Sequence, residues 1–275
     1  MDIGKLRAEP GAKFKLAKAA PDDTHGVAKS HAAKLHAGHV EKLAVLHDLL
    51  YAEHKRSLLI ILQGMDASGK DGTIKHVMSG VNPQGCSVTS FKQPGTTELD
   101  HDFLWRIHAA IPPKGSIGIF NRSQYEDVLV TRVHELFPAE VWKKRYSQIN
   151  DFEKMLTENN IHILKFFLHM SKGKQEKRFD ERLRDPRKNW KSSPADFAER
   201  KYWEQYQAAY EDAIAKCSMK GAPWYVIPSD HKWFRNFAVA EIVVRTMESW
   251  KMQYPKKNTE PSGVRHGGQS TRQAK

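Results

Sequence analysis

The sequence predicts an α/β protein of three layers, a mainly parallel sheet with helices on both faces, and two observations carry that reading. Residues 58–62, Leu-Leu-Ile-Ile-Leu, form an unbroken apolar run that ends at Gln63 and suits a strand covered on both faces. This run enters a loop framed by Gly64 and Gly69 and ended by Lys70. Further β-like runs then alternate with stretches long enough for helices, the pattern of a parallel sheet wrapped on both sides.

Taken in order, residues 1–30 mix Lys, Ala, Pro, Gly and Asp without periodicity and predict a flexible, extended segment. From about Ser30 to Lys55, Val40, Leu43, Leu46, Leu50 and Tyr51 recur at helical spacing, predicting an amphipathic helix packed against the domain downstream of it. Its histidines, His31, His36, His39, His47 and His54, have no carboxylate or cysteine partner at ligand spacing and are expected to pack or face solvent. Strands are expected at Ser87 to Phe91, Ser116 to Asn121, Ile161 to Met170 and Trp224 to Pro228. A single domain over 31–254 is expected, with a polar, flexible tail at 255–275.

Composition sets outer bounds. The chain has 275 residues and 44 Lys+Arg against 32 Asp+Glu, a formal charge of +12, so its field favours polyanions without choosing among them. Two cysteines, Cys86 and Cys217, are too few for a disulfide framework and point to a reducing cytoplasm. No stretch approaches the ~18 consecutive apolar residues of a membrane span, and no membrane association is expected.

The loop at 64–72 has the layout of a phosphate cradle. Its glycines allow successive N–H groups to point at one anion, and Lys70 adds charge at a helix N-terminus. Where the strict pattern has Ser or Thr after the lysine, this chain has Asp71. Asp66 and Asp71 would repel an anionic substrate unless a divalent ion intervened, so Mg²⁺, with Mn²⁺ as a substitute, is the expected cofactor and Asp66 its first ligand. Phosphate and nucleotide contacts are expected from Gly64, Ala67, Ser68, Gly69, Lys70, Asp71 and Gly72, with Lys75, Asn121 and Glu126 alongside.

A second site-like stretch follows the strand ending at Asn121. Arg122 can neutralise a transferring phosphoryl group, and Glu126 or Asp127 can hold the metal, Asp127 being the assigned ligand; equally, both acids suit the first turn of a helix capped by Ser123. A third stretch, about 171–200, crowds cations among few large apolar residues. Lys174, Arg178 and Arg182 share one helical face and can present a row of charge to a chain of phosphates, or else form a salt-bridged surface helix with Glu176, Asp180 and Glu181. Asp185-Pro186 and Ser193-Pro194 break the segment as a mobile lid would require. Lys92, Arg106, Lys232 and Arg235 carry little weight singly, and Tyr202, Tyr206 and the tryptophans read mainly as core.

Gly64-Met-Asp-Ala-Ser-Gly-Lys-Asp-Gly72, Phe120-Asn-Arg-Ser-Gln-Tyr125, Asp185-Pro-Arg-Lys-Asn-Trp-Lys191 with Ser193-Pro-Ala-Asp196, and Pro223-Trp-Tyr-Val-Ile-Pro-Ser-Asp230 together resemble the polyphosphate kinase 2 family, over about Leu43 to Trp250. The resemblance implies a P-loop kinase fold with a helical lid, Mg²⁺, and reversible transfer of a terminal phosphoryl group between inorganic polyphosphate and a nucleotide. By position, Asp66 resembles the family's essential loop aspartate, Lys70 its phosphate lysine, Arg122 its strand-end arginine, and Arg178 and Arg182 its lid cations. Asn121 stands where many members have Asp. The chain is similar to the subgroup accepting AMP as well as ADP, with ATP as product, and a homo-oligomer with no specific nucleic-acid partner is expected. Two rival readings are a kinase that uses ATP as donor and a basic protein that binds nucleic acid without transferring phosphate.

Overall fold

The structure is a computed structural model and describes residues 1–191 and 193–256. In chain order the elements are α1 (Lys29–Glu53), β1 (Ser57–Gln63), α2 (Lys70–Val77), β2 (Cys86–Ser90), α3 (Thr96–Leu99), α4 (Trp105–Ala109), β3 (Ile117–Asn121), α5 (Glu126–Val133), α6 (Ala139–Glu158), β4 (Ile161–His169), α7 (Lys172–Arg184), α8 (Pro194–Glu199), α9 (Trp203–Cys217), β5 (Trp224–Pro228) and α10 (Lys232–Ser249). The strands form one five-stranded sheet in the order β2-β3-β1-β4-β5, parallel throughout.

Every residue of β1 is buried, because alternate side chains enter two separate cores. Leu59 and Ile61 pack with α5, α6 and α9 through Val128, Ile149 and Tyr210. Leu58, Ile60 and Leu62 pack with α1 and α10 through Leu43, Phe237 and Val243. The three layers predicted by the sequence are therefore present, and the phosphate loop leaves the carboxyl end of the central strand, where parallel α/β sheets gather ligands. Within α1, His39 stacks on Phe237 of α10 and pairs with Glu241 at 2.6 Å, while His47 bonds the Gly85 carbonyl at 2.9 Å.

The N-terminal segment departs from expectation. Leu6, Ala8 and Leu16 are buried, Arg7 bridges Tyr225 in antiparallel register, and the Ala8 N–H donates to the Trp224 carbonyl at 2.9 Å. The segment covers the open edge of β5, which would otherwise present unpaired backbone groups, and three small anchors suffice because the edge supplies the hydrogen bonds. The tail expected from 255 lies, past Lys256, outside the described residues.

Candidate active site

The loop after β1 is built from unusual backbone. Gly64 has φ +148°, Ala67 φ +61° and Gly69 φ +104°. A Cβ at Gly69 would lie 1.8 Å from Nη1 of Arg235, so this glycine makes room for a guanidinium as well as for a turn. Lys70, the first residue of α2, is buried, and its Nζ donates to the Gly64 carbonyl at 2.7 Å and the Met65 carbonyl at 3.4 Å. Burial, followed by the charge of Arg122, lowers the Lys70 ammonium from its ordinary value, with Asp66, Glu126 and Asp71 opposing. An anion bound in the loop would add to the opposing side and favour the charged lysine.

Asp66 and Arg122 meet across the cleft. Arg122 follows β3 with φ +65°, its N–H donates to the Leu62 carbonyl, and its Nη2 donates to Asp66 Oδ1 at 2.7 Å. Burial alone would lower the Arg122 guanidinium, yet Glu126 and Asp66 hold it above its usual range. Asn121 Nδ2 donates to Asp71 Oδ1 at 2.9 Å, so the amide at the position where the family often has Asp is used to orient the acid after the lysine. The cleft itself is about 40 Å³ and is lined by Gly64, Met65, Asp66, Arg122, Glu126, Glu199, Tyr206 and Tyr210.

Under Arg122 lies a sealed polar network. Lys165 of β4 and Glu153 of α6 pair with no exposure at all; Lys165 also donates to the Tyr125 hydroxyl at 2.9 Å and the Cys217 carbonyl at 2.6 Å. Gln124 and Tyr125 in turn donate to Glu153 Oε1 at 3.0 and 2.8 Å. Burial raises the Glu153 carboxyl, opposed chiefly by Lys165. The network fixes Gln124 and Tyr125, two of the three residues between Arg122 and Glu126, and so sets where both side chains emerge.

Two of the expected assignments change. Asp127, assigned to the metal, turns to α6 and pairs with Arg145 at 3.0 Å, and burial pushes its carboxyl up to about 6 despite that partner. Neighbouring positions of a helix point about 100° apart, and it is Glu126 that faces the cleft. Arg178, assigned as a lid cation, is buried. Its Nη1 donates to the carbonyls of Ala67 at 2.9 Å and Ser68 at 3.0 Å, and its Nη2 donates to those of Ser229 and, at 3.1 Å, Asp230. It grips the phosphate loop from behind. Arg182 is half-buried and reaches Asp196 at 3.5 Å, the beginning of a contact between α7 and α8. Lys75 is exposed on α2 and does not line the cleft.

Several functional groups carried little sequence signal. Arg235 of α10 donates from Nη1 to the Ser68 carbonyl at 3.0 Å, on the same oxygen that Arg178 holds. Gln175 donates to the Asp66 carbonyl at 3.0 Å. Glu199 accepts from the Tyr206 hydroxyl at 2.5 Å and lies 2.7 Å from His134 Nε2, forming the far wall of the cleft.

The donor set suits a hard divalent ion. Asp66 and Glu126 bring two carboxylates to one small cleft, and Mg²⁺ is ordinarily held by one or two carboxylates together with substrate phosphates. Among the described residues no three His, Cys, Asp or Glu side chains form a metal-binding group.

Comparison with known proteins agrees with this geometry. The model of the family Polyphosphate kinase 2 (PPK2) matches residues 27–255. An AMP/ADP-polyphosphate phosphotransferase of Meiothermus ruber is 49% identical over 257 residues, covering 93% of this chain and 96% of that protein. An ADP-polyphosphate phosphotransferase of Rhodopseudomonas palustris is 48% identical over 239 residues, covering 82% and 83%. The crystal structure of Polyphosphate Kinase 2 from Arthrobacter aurescens superposes with a TM-score of 0.90 at 41% identity, over 94% of this chain and 92% of that one.

Proposed function

The chain belongs to the polyphosphate kinase 2 family, and from that premise we propose that it transfers the terminal phosphoryl group of inorganic polyphosphate to ADP and AMP, reversibly and with Mg²⁺. The observation that carries the proposal is the Asp66–Arg122 pair set over a glycine-framed loop whose lysine begins a helix. Acceptance of both nucleotides draws support from the similarity to the M. ruber enzyme. A cytoplasmic home and a homo-oligomer remain part of the same reading.

In the reaction an oxygen of the acceptor's terminal phosphate attacks the end phosphorus of the polymer, the terminal P–O–P bond breaks, and the shortened polymer leaves with the bond's electron pair. The attacking oxygen is already anionic, so no strong base is needed and positioning with charge neutralisation supplies the acceleration. The loop N–H groups and Lys70 hold phosphate oxygens, and Arg122 neutralises the group in transfer. When bound, Mg²⁺ would be held by Asp66 and Glu126 and would offset charge shared between donor and acceptor phosphates. Asp66 orients rather than abstracts a proton. In this reading the helical segment that carries Glu199, a wall of the cleft, moves with substrate entry and closes over the bound pair.

The test is nucleotide chromatography after incubating the protein with Mg²⁺, long-chain polyphosphate and either AMP or ADP, with Lys70→Ala alongside. ATP from ADP, and ADP then ATP from AMP, are expected, with Lys70→Ala down by about 10³-fold, the effect of removing one preorganised charge contact. Folded protein giving no product from either nucleotide would overturn the proposal and favour an ATP donor.

A further inference from the structure

A cavity of about 270 Å³ lies outside the candidate active site, between the N-terminal segment and the end of β5. Its walls carry Lys5, Arg7, Lys13, Lys15 and Lys18, and its floor is Val226 and Pro228. The single acid in the lining, Asp23, is already engaged, accepting from the His25 N–H at 2.7 Å and facing its ring at 3.4 Å. Lys15 is paired with Glu211 at 2.7 Å. Among the described residues Lys5, Lys13 and Lys18 have no ion-pair partner, and the buried Nε of Arg7 has no hydrogen-bond acceptor. Four cations without an ion-pair partner among the described residues thus surround one hollow whose lining holds a single carboxylate, Asp23, and the excess of positive charge concentrates anions.

The placement of this hollow is informative. It sits at the carboxyl end of β5, on the edge of the sheet from which the phosphate loop leaves β1, two strands or roughly 10 Å away. Ala19 and Ala20 of its wall run into Pro21, whose carbonyl accepts from the Asp230 N–H at 3.0 Å. The Asp230 carboxylate holds the Ser171 N–H and hydroxyl at 2.9 and 2.7 Å, and Ser171 caps α7. The cavity wall is therefore continuous with the base of the helix that carries Arg178.

We infer that this cavity is a second condensed-phosphate site, which holds a part of the polymer remote from the transferring end. The inference deepens the proposed function and rests on it for the identity of the polymer. Lys5, Lys13, Lys18 and Arg7 grip phosphate oxygens there, while the distal chain lies along the sheet edge between the two sites.

The experiment compares three full-length proteins: wild type, the combined Lys5→Ala/Lys13→Ala/Lys18→Ala variant, and a control, Lys29→Ala/Lys34→Ala/Lys114→Ala, which removes the same charge from exposed positions away from the cavity. Tripolyphosphate binding is measured by calorimetry, and KM is measured for long-chain polyphosphate and for ADP. The cavity variant is expected to bind one tripolyphosphate fewer per chain and to raise KM for long-chain polyphosphate about tenfold, the loss of three screened charge contacts. Its kcat and its KM for ADP are expected to match wild type. A lost tripolyphosphate site with unchanged long-chain KM would assign the cavity to free oligophosphate. Equal stoichiometry and equal KM, or the same changes in the control, would overturn the inference. If wild type made no ATP from polyphosphate, the proposed function would fail while the calorimetry still decided whether the cavity binds condensed phosphate.

Discussion

Arg178 offers the sharpest separation between a residue that touches polymer and one that holds the loop. Replacing it with alanine removes a guanidinium that is 6% exposed and leaves four backbone carbonyls, those of Ala67, Ser68, Ser229 and Asp230, without that donor. Each buried acceptor left unsatisfied costs about 1–3 kcal/mol. Water entering the vacated volume and the retained Arg235 bond to Ser68 place the sum near the low end, about 4 kcal/mol. For a chain of this size that is roughly a 10 °C fall in Tm. Arg178→Lys recovers only part of it, because one ammonium cannot reproduce the planar fork that spans two sides of the clamp. The half-buried Arg182, which among the described residues reaches Asp196 at 3.5 Å and lies over Phe179, serves as control: Arg182→Ala is expected to change Tm by less than about 2 °C while weakening polyphosphate use. Thermal melts in the absence of substrate, with steady-state kinetics beside them, make the comparison. Arg178→Ala melting within about 2 °C of wild type, with its defect confined to KM for polyphosphate, would refute the assignment.

Other perturbations probe the same geometry. Asp66→Asn should lower turnover by about 10²–10³-fold with little change in Tm, since its pair with Arg122 is about a third exposed; near-normal turnover at saturating Mg²⁺ would remove Asp66 from the mechanism. Gly69→Ala should destabilise by about 2–4 kcal/mol, combining a strained φ of +104° with displacement of Arg235, and an unchanged melt would contradict the close approach. Glu153→Gln strands the Lys165 charge in the core and should cost about 3–5 kcal/mol, whereas the double variant Glu153→Gln/Lys165→Met should recover most of it. Equal melts for the single and double variants would show that the pair does not act as a unit.

What the sequence disclosed and what it hid have separate physical causes. The strands were legible because β1 and β5 are largely apolar runs with both faces covered and β4 keeps an apolar majority around its buried Lys165, and Trp224 to Pro228 is found with the bounds expected. Asp66, Lys70 and Arg122 were legible because each stands at the end of a strand or the start of a helix, where parallel sheets collect polar groups. Helical periodicity identified the shared face of Lys174, Arg178 and Arg182, but a face has no sign. Phe179, the lone large aromatic of α7, lies beside Gln175 and Arg178 in its buried set, and this was the available signal that the face turns inward. Glu126 and Asp127 are equivalent as first-turn acids, and only the position of Arg145, 18 residues onward, separates them. Arg235 was illegible for a plainer reason: its partner carbonyl is 167 residues away.

The two arginines behind the loop also bear on how it binds anions. Arg178 and Arg235 converge on one carbonyl oxygen in a buried setting, and burial, followed by the charge of Arg178, pushes Arg235 down to about 9. At neutral pH both remain charged, so the loop is backed by two like charges whose repulsion a bound polyanion would relieve, across a medium that screens weakly. Their effect on phosphate need not involve contact. Arg235→Gln keeps a donor for the Ser68 carbonyl while removing one charge, and it is expected to melt at or above the wild-type temperature without ligand, yet bind tripolyphosphate about tenfold more weakly, or ~1.4 kcal/mol. Calorimetry on the two proteins at several salt concentrations reads the effect directly. Equal affinity would mean that the arginines serve only to shape the loop, and that its charge resides in Lys70 and Arg122 alone.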